Sequence, residues 1–248
     1  MERCTVLLHG LTNCPQQFEE YARLLHARGE NVYVPRLPYH GHADRITRAI
    51  GNLTVTDIQV AAADAAHIGG GLGRQVSVAG ISLGATMALW LAQTGGVDRA
   101  VGVAPFLMVP LLPRRLGLAV MSVLATLPNR FLWWNPRRRE QQPPDYGYPG
   151  FWTRCLAQCS LAGAMLFAAA RNAAPVAARC TLVLNAHDPA VNNGVARQLA
   201  RRWRGRPGYE LCVWDDLGRR HDVVDPTTFP GARTLVYPRL TALLTSEP

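Results

Sequence analysis

The ten residues Val76-Ser77-Val78-Ala79-Gly80-Ile81-Ser82-Leu83-Gly84-Ala85 decide how this chain is read. Val76 to Ala79 is a short apolar run with the β-branched content of a buried strand. Leu83 to Gln93 has the length and apolar character of a helix. Between them lies Gly80-Ile81-Ser82-Leu83-Gly84, with small residues two before and two after the serine. A serine on so abrupt a strand-to-helix turn needs such neighbours, because a side chain at either glycine meets backbone. The turn lifts the hydroxyl above the sheet, and the following helix aims its first amides at any negative charge that develops there. Ser82 is therefore the candidate nucleophile.

Outward from this turn, short apolar runs alternate with helical patterns, as in a parallel sheet flanked by helices. Strands are expected at Thr5–Leu8, Val32–Val34, Val76–Ala79, Ala100–Val103, Thr181–Asn185 and Glu210–Trp214. Pro15 opens a helix that Gly29 stops, and a second helix from Asp57 to Ile68 ends at the Gly69-Gly70-Gly71 break. A closing helix covers roughly Leu235 to Leu244. Between Pro105 and Ala178 the strand rhythm stops. Two apolar helical patterns, Leu116–Leu127 and Phe151–Ala170, flank a segment rich in proline and arginine, Asn135–Pro149. The expected division is a core of residues 1–105 and 179–248, with residues 106–178 as a helical cap insertion.

A serine hydroxyl is a weak nucleophile at neutral pH and needs a base, which itself needs an orienting acid. A serine turn of this kind takes them from the ends of later strands, acid first. Asp188 follows Thr181–Asn185, and His221 follows Glu210–Trp214. Asp222 and Asp225 compete for the acid's role but share the histidine's own loop. Two amides are expected to hold the oxyanion: Leu83, after the nucleophile, and Leu11, in the loop His9-Gly10-Leu11-Thr12 after the first strand. His9, His40 and His42 are read as shaping loops. If the first and third strands are neighbours, the chain changes direction between them and a crevice opens at their carboxyl ends.

These stretches together resemble the α/β-hydrolase family, particularly its small capped bacterial carboxylesterases and monoacylglycerol lipases. The resemblance rests on His9–Thr12, on Pro35-Arg36-Leu37-Pro38-Tyr39-His40-Gly41-His42, on Gly80–Gly84, on His187-Asp188 and on His221. It implies an α/β-hydrolase fold. Relative to the family the chain begins at the third strand, so about six mostly parallel strands are expected. Tyr39 replaces the family's usual glycine and is expected to narrow the pocket mouth. Tyr39, Phe106, Trp133 and Trp134 are the candidate substrate-binding residues.

The function expected is a serine carboxylesterase acting on short- to medium-chain acyl esters, monoacylglycerols among them, through a Ser82-His221-Asp188 triad. A thioesterase, another chemistry on the same triad, or an idle binding protein on this fold are the alternatives. No cofactor and no metal are implied. The six cysteines show no CxxC pairing, and most lie in apolar stretches.

The net charge of +9 comes from a chain without lysine, whose 26 basic residues are all arginine. Those arginines are scattered, with no nucleic-acid motif around the densest group, Arg137-Arg138-Arg139. No nucleic-acid partner is expected, nor any stable membrane insertion, since the greasiest segment, Cys155–Ala170, is too short to span. The first residues run straight into a strand with no signal-like pattern, so a cytoplasmic location is expected. The partner expected is a small acyl ester.

Overall fold

The computed structural model describes residues 2–139, 142, 144–171 and 173–245. Six strands form one sheet: β1 (Arg3–Leu8), β2 (Asn31–Tyr33), β3 (Gln75–Ile81), β4 (Arg99–Val103), β7 (Arg179–Asn185) and β8 (Tyr209–Trp214). Their order is β2-β1-β3-β4-β7-β8, and every neighbouring pair is parallel. All six expected strands are present, each starting one or two residues earlier in sequence. A mostly parallel sheet of about six strands is the architecture expected from the sequence.

The order explains where a site can form. From β1 the chain moves outward to β2 and then crosses back to β3 on the other side of β1. Ligands bind outside the carboxyl ends of strands at such a switch point. Register brings the two ends level, with Leu8 opposite Gly80. The loop at His9 and the turn at Ser82 therefore leave the sheet side by side.

The strands are apolar almost throughout because helices cover both sheet faces. Val6, Leu7 and Leu8 are wholly buried, as are Val78 and Ala79 in β3 and Leu182, Val183 and Leu184 in β7. Helix α1 (Glu19–Ala27) packs against the final helix α7 (Tyr237–Thr245) through the rings of Tyr21 and Tyr237, 4.8 Å apart. Helix α2 (Val55–Leu72) begins with a capping box. There Thr54 Oγ1 accepts from the Asp57 amide, and Asp57 Oδ2 accepts from the Thr54 amide.

Two helix boundaries differ from expectation. The Pro15 helix starts as a 3₁₀ turn, Pro15–Phe18, before α1. The glycine break does not break α2, which runs through Gly69-Gly70-Gly71 to Leu72. Gly69 lies against the sheet, where an added Cβ would sit 2.9 Å from Val6 Cγ2 and 3.1 Å from Val76 Cγ1. Here glycine serves close packing, not chain reversal. The helix α6 (Asn193–Trp203) between β7 and β8 was not among the expected elements, although Val195, Ala196, Leu199, Ala200 and Trp203 form its buried stripe.

Helix α3 (Leu83–Thr94) follows the serine turn and is buried along nearly its whole length. Between β4 and β7 lie α4 (Arg114–Thr126) and α5 (Thr153–Ala169). They flank a short antiparallel pair, β5 (Phe131–Trp133) with β6 (Gly150–Trp152), which a helical reading of this region did not anticipate. Three positions in the expected proline- and arginine-rich segment, Glu140, Gln141 and Pro143, fall outside the described residues. The rest of that segment is fastened by long-range bonds to main-chain carbonyls. Arg45 donates to the carbonyls of Gly147 at 2.6 Å, Gln142 at 2.8 Å and Pro144 at 3.1 Å. Trp152 Nε1 donates to the Thr47 carbonyl at 2.7 Å.

Candidate active site

Ser82 sits between β3 and α3 with φ 58° and ψ −116°, a positive-φ conformation that a residue with a Cβ seldom adopts. The surroundings enforce this. A Cβ at Gly80 would lie 2.2 Å from the Gly84 carbonyl, and one at Gly84 would lie 1.9 Å from the Leu8 carbonyl oxygen. Only glycine at both positions lets α3 start directly on the end of the sheet. The Ser82 amide donates to the Val103 carbonyl and its carbonyl accepts from the Phe106 amide, so β4 and its following loop hold the turn on both sides. Ser82 itself is 8% exposed and faces a cavity of about 90 Å³.

His221 lines the same cavity. Its Nδ1 lies 2.8 Å from Asp188 Oδ2, so Nδ1–H donates to the carboxylate and Nε2 is left to act as a base. Asp188 is held in turn by the Ala190 amide, which donates to its Oδ1 at 2.8 Å. The loop carrying His221 is tied to the end of β7, where Asn185 Nδ2 donates to the carbonyls of Gly218 and Arg220. Burial pulls the His221 imidazole down, but the Asp188 carboxylate and the charge of Asp222 outweigh it and hold its pKa above 6.5.

The loop after β1 passes directly over the serine. A Cβ on Gly10 would stand 3.6 Å from Ser82 Cβ. Three contacts fix this loop. The Gly10 amide donates to Gln17 Oε1 at 2.9 Å, the Leu11 carbonyl lies 2.6 Å from His40 Nε2, and the Tyr148 amide donates to the Thr12 carbonyl at 2.8 Å. His9 is wholly buried, with Nδ1 against the Gly10 carbonyl and Nε2 accepting from the Leu37 amide. Burial, reinforced by His40, pushes its pKa down to about 3, so it stays neutral and holds shape rather than moving protons. Leu83, the other candidate donor, is the first residue of α3, where helix amides have no partner within the helix.

One wall of the cavity is apolar: Leu11, Phe106, Trp134, Leu156 and Ala190. Thr12, Asn13, Gln17 and Asp222 give the same cavity a polar edge. Of the four residues expected to contact substrate, Phe106 and Trp134 line it. Tyr39 and Trp133 do not. Tyr39 is 40% exposed in a loop, at φ 63°, a conformation the glycine expected there adopts without strain. The Trp133 ring packs edge-on against Phe131, 5.0 Å away, because β5 sends neighbouring side chains to opposite sides. Trp134 reaches the loop instead, its Nε1 donating to Thr12 Oγ1 at 3.1 Å.

Sequence reasoning missed Leu156, Ala190 and the polar edge. Leu156 sits inside the helical pattern of α5 with nothing local to single it out. Asn13 and Gln17 stand close after the His-Gly pair, which was the available signal. Asp222 was weighed only as a rival acid. Its Oδ2 accepts from Asn13 Nδ2 and Gln17 Nε2, while the imidazole Nδ1 goes to Asp188. Among the described residues no group of three histidine, cysteine, aspartate or glutamate side chains is placed to hold a metal ion. No described helix is long and apolar enough to cross a membrane.

Comparison with known proteins places this arrangement. The sequence model of the Alpha/beta hydrolase family matches residues 5–233. No curated protein sequence matches the chain. Among solved structures it is similar to one described under the metagenome-derived lipolytic enzymes LipS and LipT, with TM-score 0.76 and 17% identity, covering 98% of this chain and 94% of that one. It is also similar to the monoacylglycerol lipase of Paleococcus ferrophilus, with TM-score 0.70, 18% identity and coverage of 97% and 94%. A thioesterase domain from the curacin biosynthetic pathway follows at TM-score 0.61 and 13% identity, with coverage of 98% and 92%. At such identities these likenesses concern the fold.

Proposed function

The chain belongs to the Alpha/beta hydrolase family, and from that premise we propose that it is a serine carboxylesterase working through an acyl-enzyme. Ser82 Oγ attacks the ester carbonyl while His221 Nε2 takes its proton. Asp188 holds the imidazole in the tautomer that leaves Nε2 free and stabilises the imidazolium. The amides of Leu11 and Leu83 receive the oxyanion, a contribution of about 3 kcal/mol for each donor. The imidazolium returns its proton to the leaving alcohol. Water then repeats the sequence on the acyl-serine.

The observation that carries this reading is the 2.8 Å bond between His221 and Asp188, formed by residues on separate strand ends beside a cavity that Ser82 shares. The substrates proposed are short- to medium-chain acyl esters. A cavity of about 90 Å³ favours the short end, since pockets for drug-sized ligands run from about 300 Å³. Residues 106–178 are read as the cap, which contributes Phe106, Trp134 and Leu156 to the acyl wall.

A chain-length series of p-nitrophenyl esters tests the proposal. Hydrolysis is expected to be fastest for acetate to butyrate and to fall at least about 10⁴-fold in Ser82→Ala. A Ser82→Ala protein with the wild-type rate overturns it. A thioesterase uses the same residues, and the similarity to the curacin domain keeps it as a second reading. Faster turnover of acyl thioesters than of matched oxygen esters would select it.

A further inference from the structure

The polar edge of the cavity contains a carboxylate that the proposed reaction does not use. Asp222 adjoins His221 in sequence, yet its Oδ2 accepts two side-chain amides from the far end of the chain: Gln17 Nε2 at 2.9 Å and Asn13 Nδ2 at 3.1 Å. Each of those amides holds the loop over Ser82 with its other end. Gln17 Oε1 accepts from the Gly10 amide at 2.9 Å. Asn13 Oδ1 accepts from the Cys14 amide at 3.0 Å, and the Asn13 amide donates to the Gly10 carbonyl at 3.1 Å.

A carboxylate is suited to this place for a specific reason. An ionised carboxylate only accepts, so it fixes which end of each amide faces it. With Nε2 committed to Asp222, Gln17 must present Oε1 to Gly10. A flipped Gln17 would set its NH₂ against the Gly10 amide and release the loop. Gln17 and Asn13 are both buried, at 4% and 6% exposure, so water does not easily replace either bond.

Resting on the esterase reading above, we propose that Asp222 is a positioning residue that locks the histidine loop to the oxyanion loop through Gln17 and Asn13. The lock sets the Leu11 amide and the His221 imidazole in a fixed relation across Ser82. It works against stability. No described ion pair includes Asp222, and burial together with the charge of Asp225 pushes its pKa up to about 6. Asp225 itself receives the Tyr146 hydroxyl at 2.5 Å, and its main-chain amide returns only one long bond, 3.3 Å, to Asp222 Oδ1. A half-buried carboxylate with no ion-pair partner among the described residues is costly, so its presence beside the site calls for a role other than holding the fold.

The test measures kcat and KM for p-nitrophenyl butyrate in Asp222→Leu, Gln17→Leu, their double variant and Asp222→Asn, with Ser82→Ala as control. Each leucine variant is expected to lose kcat on the order of ten- to a hundredfold, the range a misplacement of about 1 Å produces, with KM within about threefold. The double variant is expected to be no slower than the worse single one, because both remove the same lock.

Asp222→Asn keeps an oxygen for the two amides and is expected to recover part of the rate. The charged groups around the imidazole are Asp188 and Asp222, with Asp225 behind. Removing the charge of Asp222 therefore moves the acidic limb of kcat/KM to lower pH. A purely structural role would not move that limb. The proposal is overturned by an Asp222→Leu rate within twofold of wild type, by losses that multiply in the double variant, or by an unmoved limb in Asp222→Asn. If a leucine variant does not fold, the limb of Asp222→Asn decides. An active Ser82→Ala protein instead brings down the esterase reading itself.

Discussion

The carboxyl rim of the sheet and the segment between β4 and β7 are built by different means. At the rim, Ser82 is held by backbone against backbone: two glycines whose side chains have no room, and main-chain bonds to Val103 and Phe106. Between β4 and β7, long side chains reach main-chain carbonyls far away in sequence, Arg45 those of Gly147, Gln142 and Pro144, and Trp152 that of Thr47. The first arrangement tolerates no change and leaves a local sequence signature. The second is spread over residues a hundred apart and leaves none.

The contrast is broken most severely at Gly84. Gly84→Val puts carbon into the Leu8 carbonyl, and no folded protein is expected, a loss beyond about 4 kcal/mol. A soluble variant with wild-type circular dichroism and melting temperature would show that the rim is softer than described.

A second prediction concerns charge at the rim. The pKa of His221 is raised, chiefly by Asp188 against the pull of burial, and the base form is needed for attack. As pH falls through the raised value the imidazole takes a proton and the rate is lost. The acidic limb of kcat/KM is thus expected above 6.5, and a limb at or below 6.5 contradicts the assignment.

The segment between β4 and β7 should respond locally. Arg45→Met removes the charge-assisted bonds to the carbonyls of Gln142, Pro144 and Gly147, nominally on the order of 1.5 kcal/mol or more each. Trypsin cleavage after Arg137, Arg138 or Arg139 is expected to quicken by about tenfold or more, while the melting temperature falls by only a few degrees. Cleavage unchanged from wild type would mean the segment is held elsewhere. The smallest effect is expected at Gly70, in the last turns of α2, where an added Cβ meets nothing within 4 Å. Gly70→Ala should stabilise the protein by roughly 0.5–1 kcal/mol in urea unfolding. The same class of change, glycine to a residue with a Cβ, thus has opposite signs at 84 and at 70.

The same division governs what was legible in the sequence. The six strands, the serine turn and the strand-end positions of Asp188 and His221 follow from local pattern and chain order. The α2 glycines misled because glycine signals both a chain reversal and a close approach, and only the neighbouring β1 and β3 decide between them. Trp133 and Trp134 are indistinguishable side by side; which one faces the cavity depends on the unpredicted pairing of β5 with β6. Asp222 meets Gln17 across 205 residues, a contact no local pattern announces.

The central claim is that Ser82 is made nucleophilic by His221. Treating the protein with a fluorophosphonate and weighing its peptides tests this directly. The account predicts one adduct per chain, on the peptide holding Ser82, forming at least about a thousandfold more slowly in His221→Ala. An adduct on another residue, or one that forms equally fast without the imidazole, would contradict it.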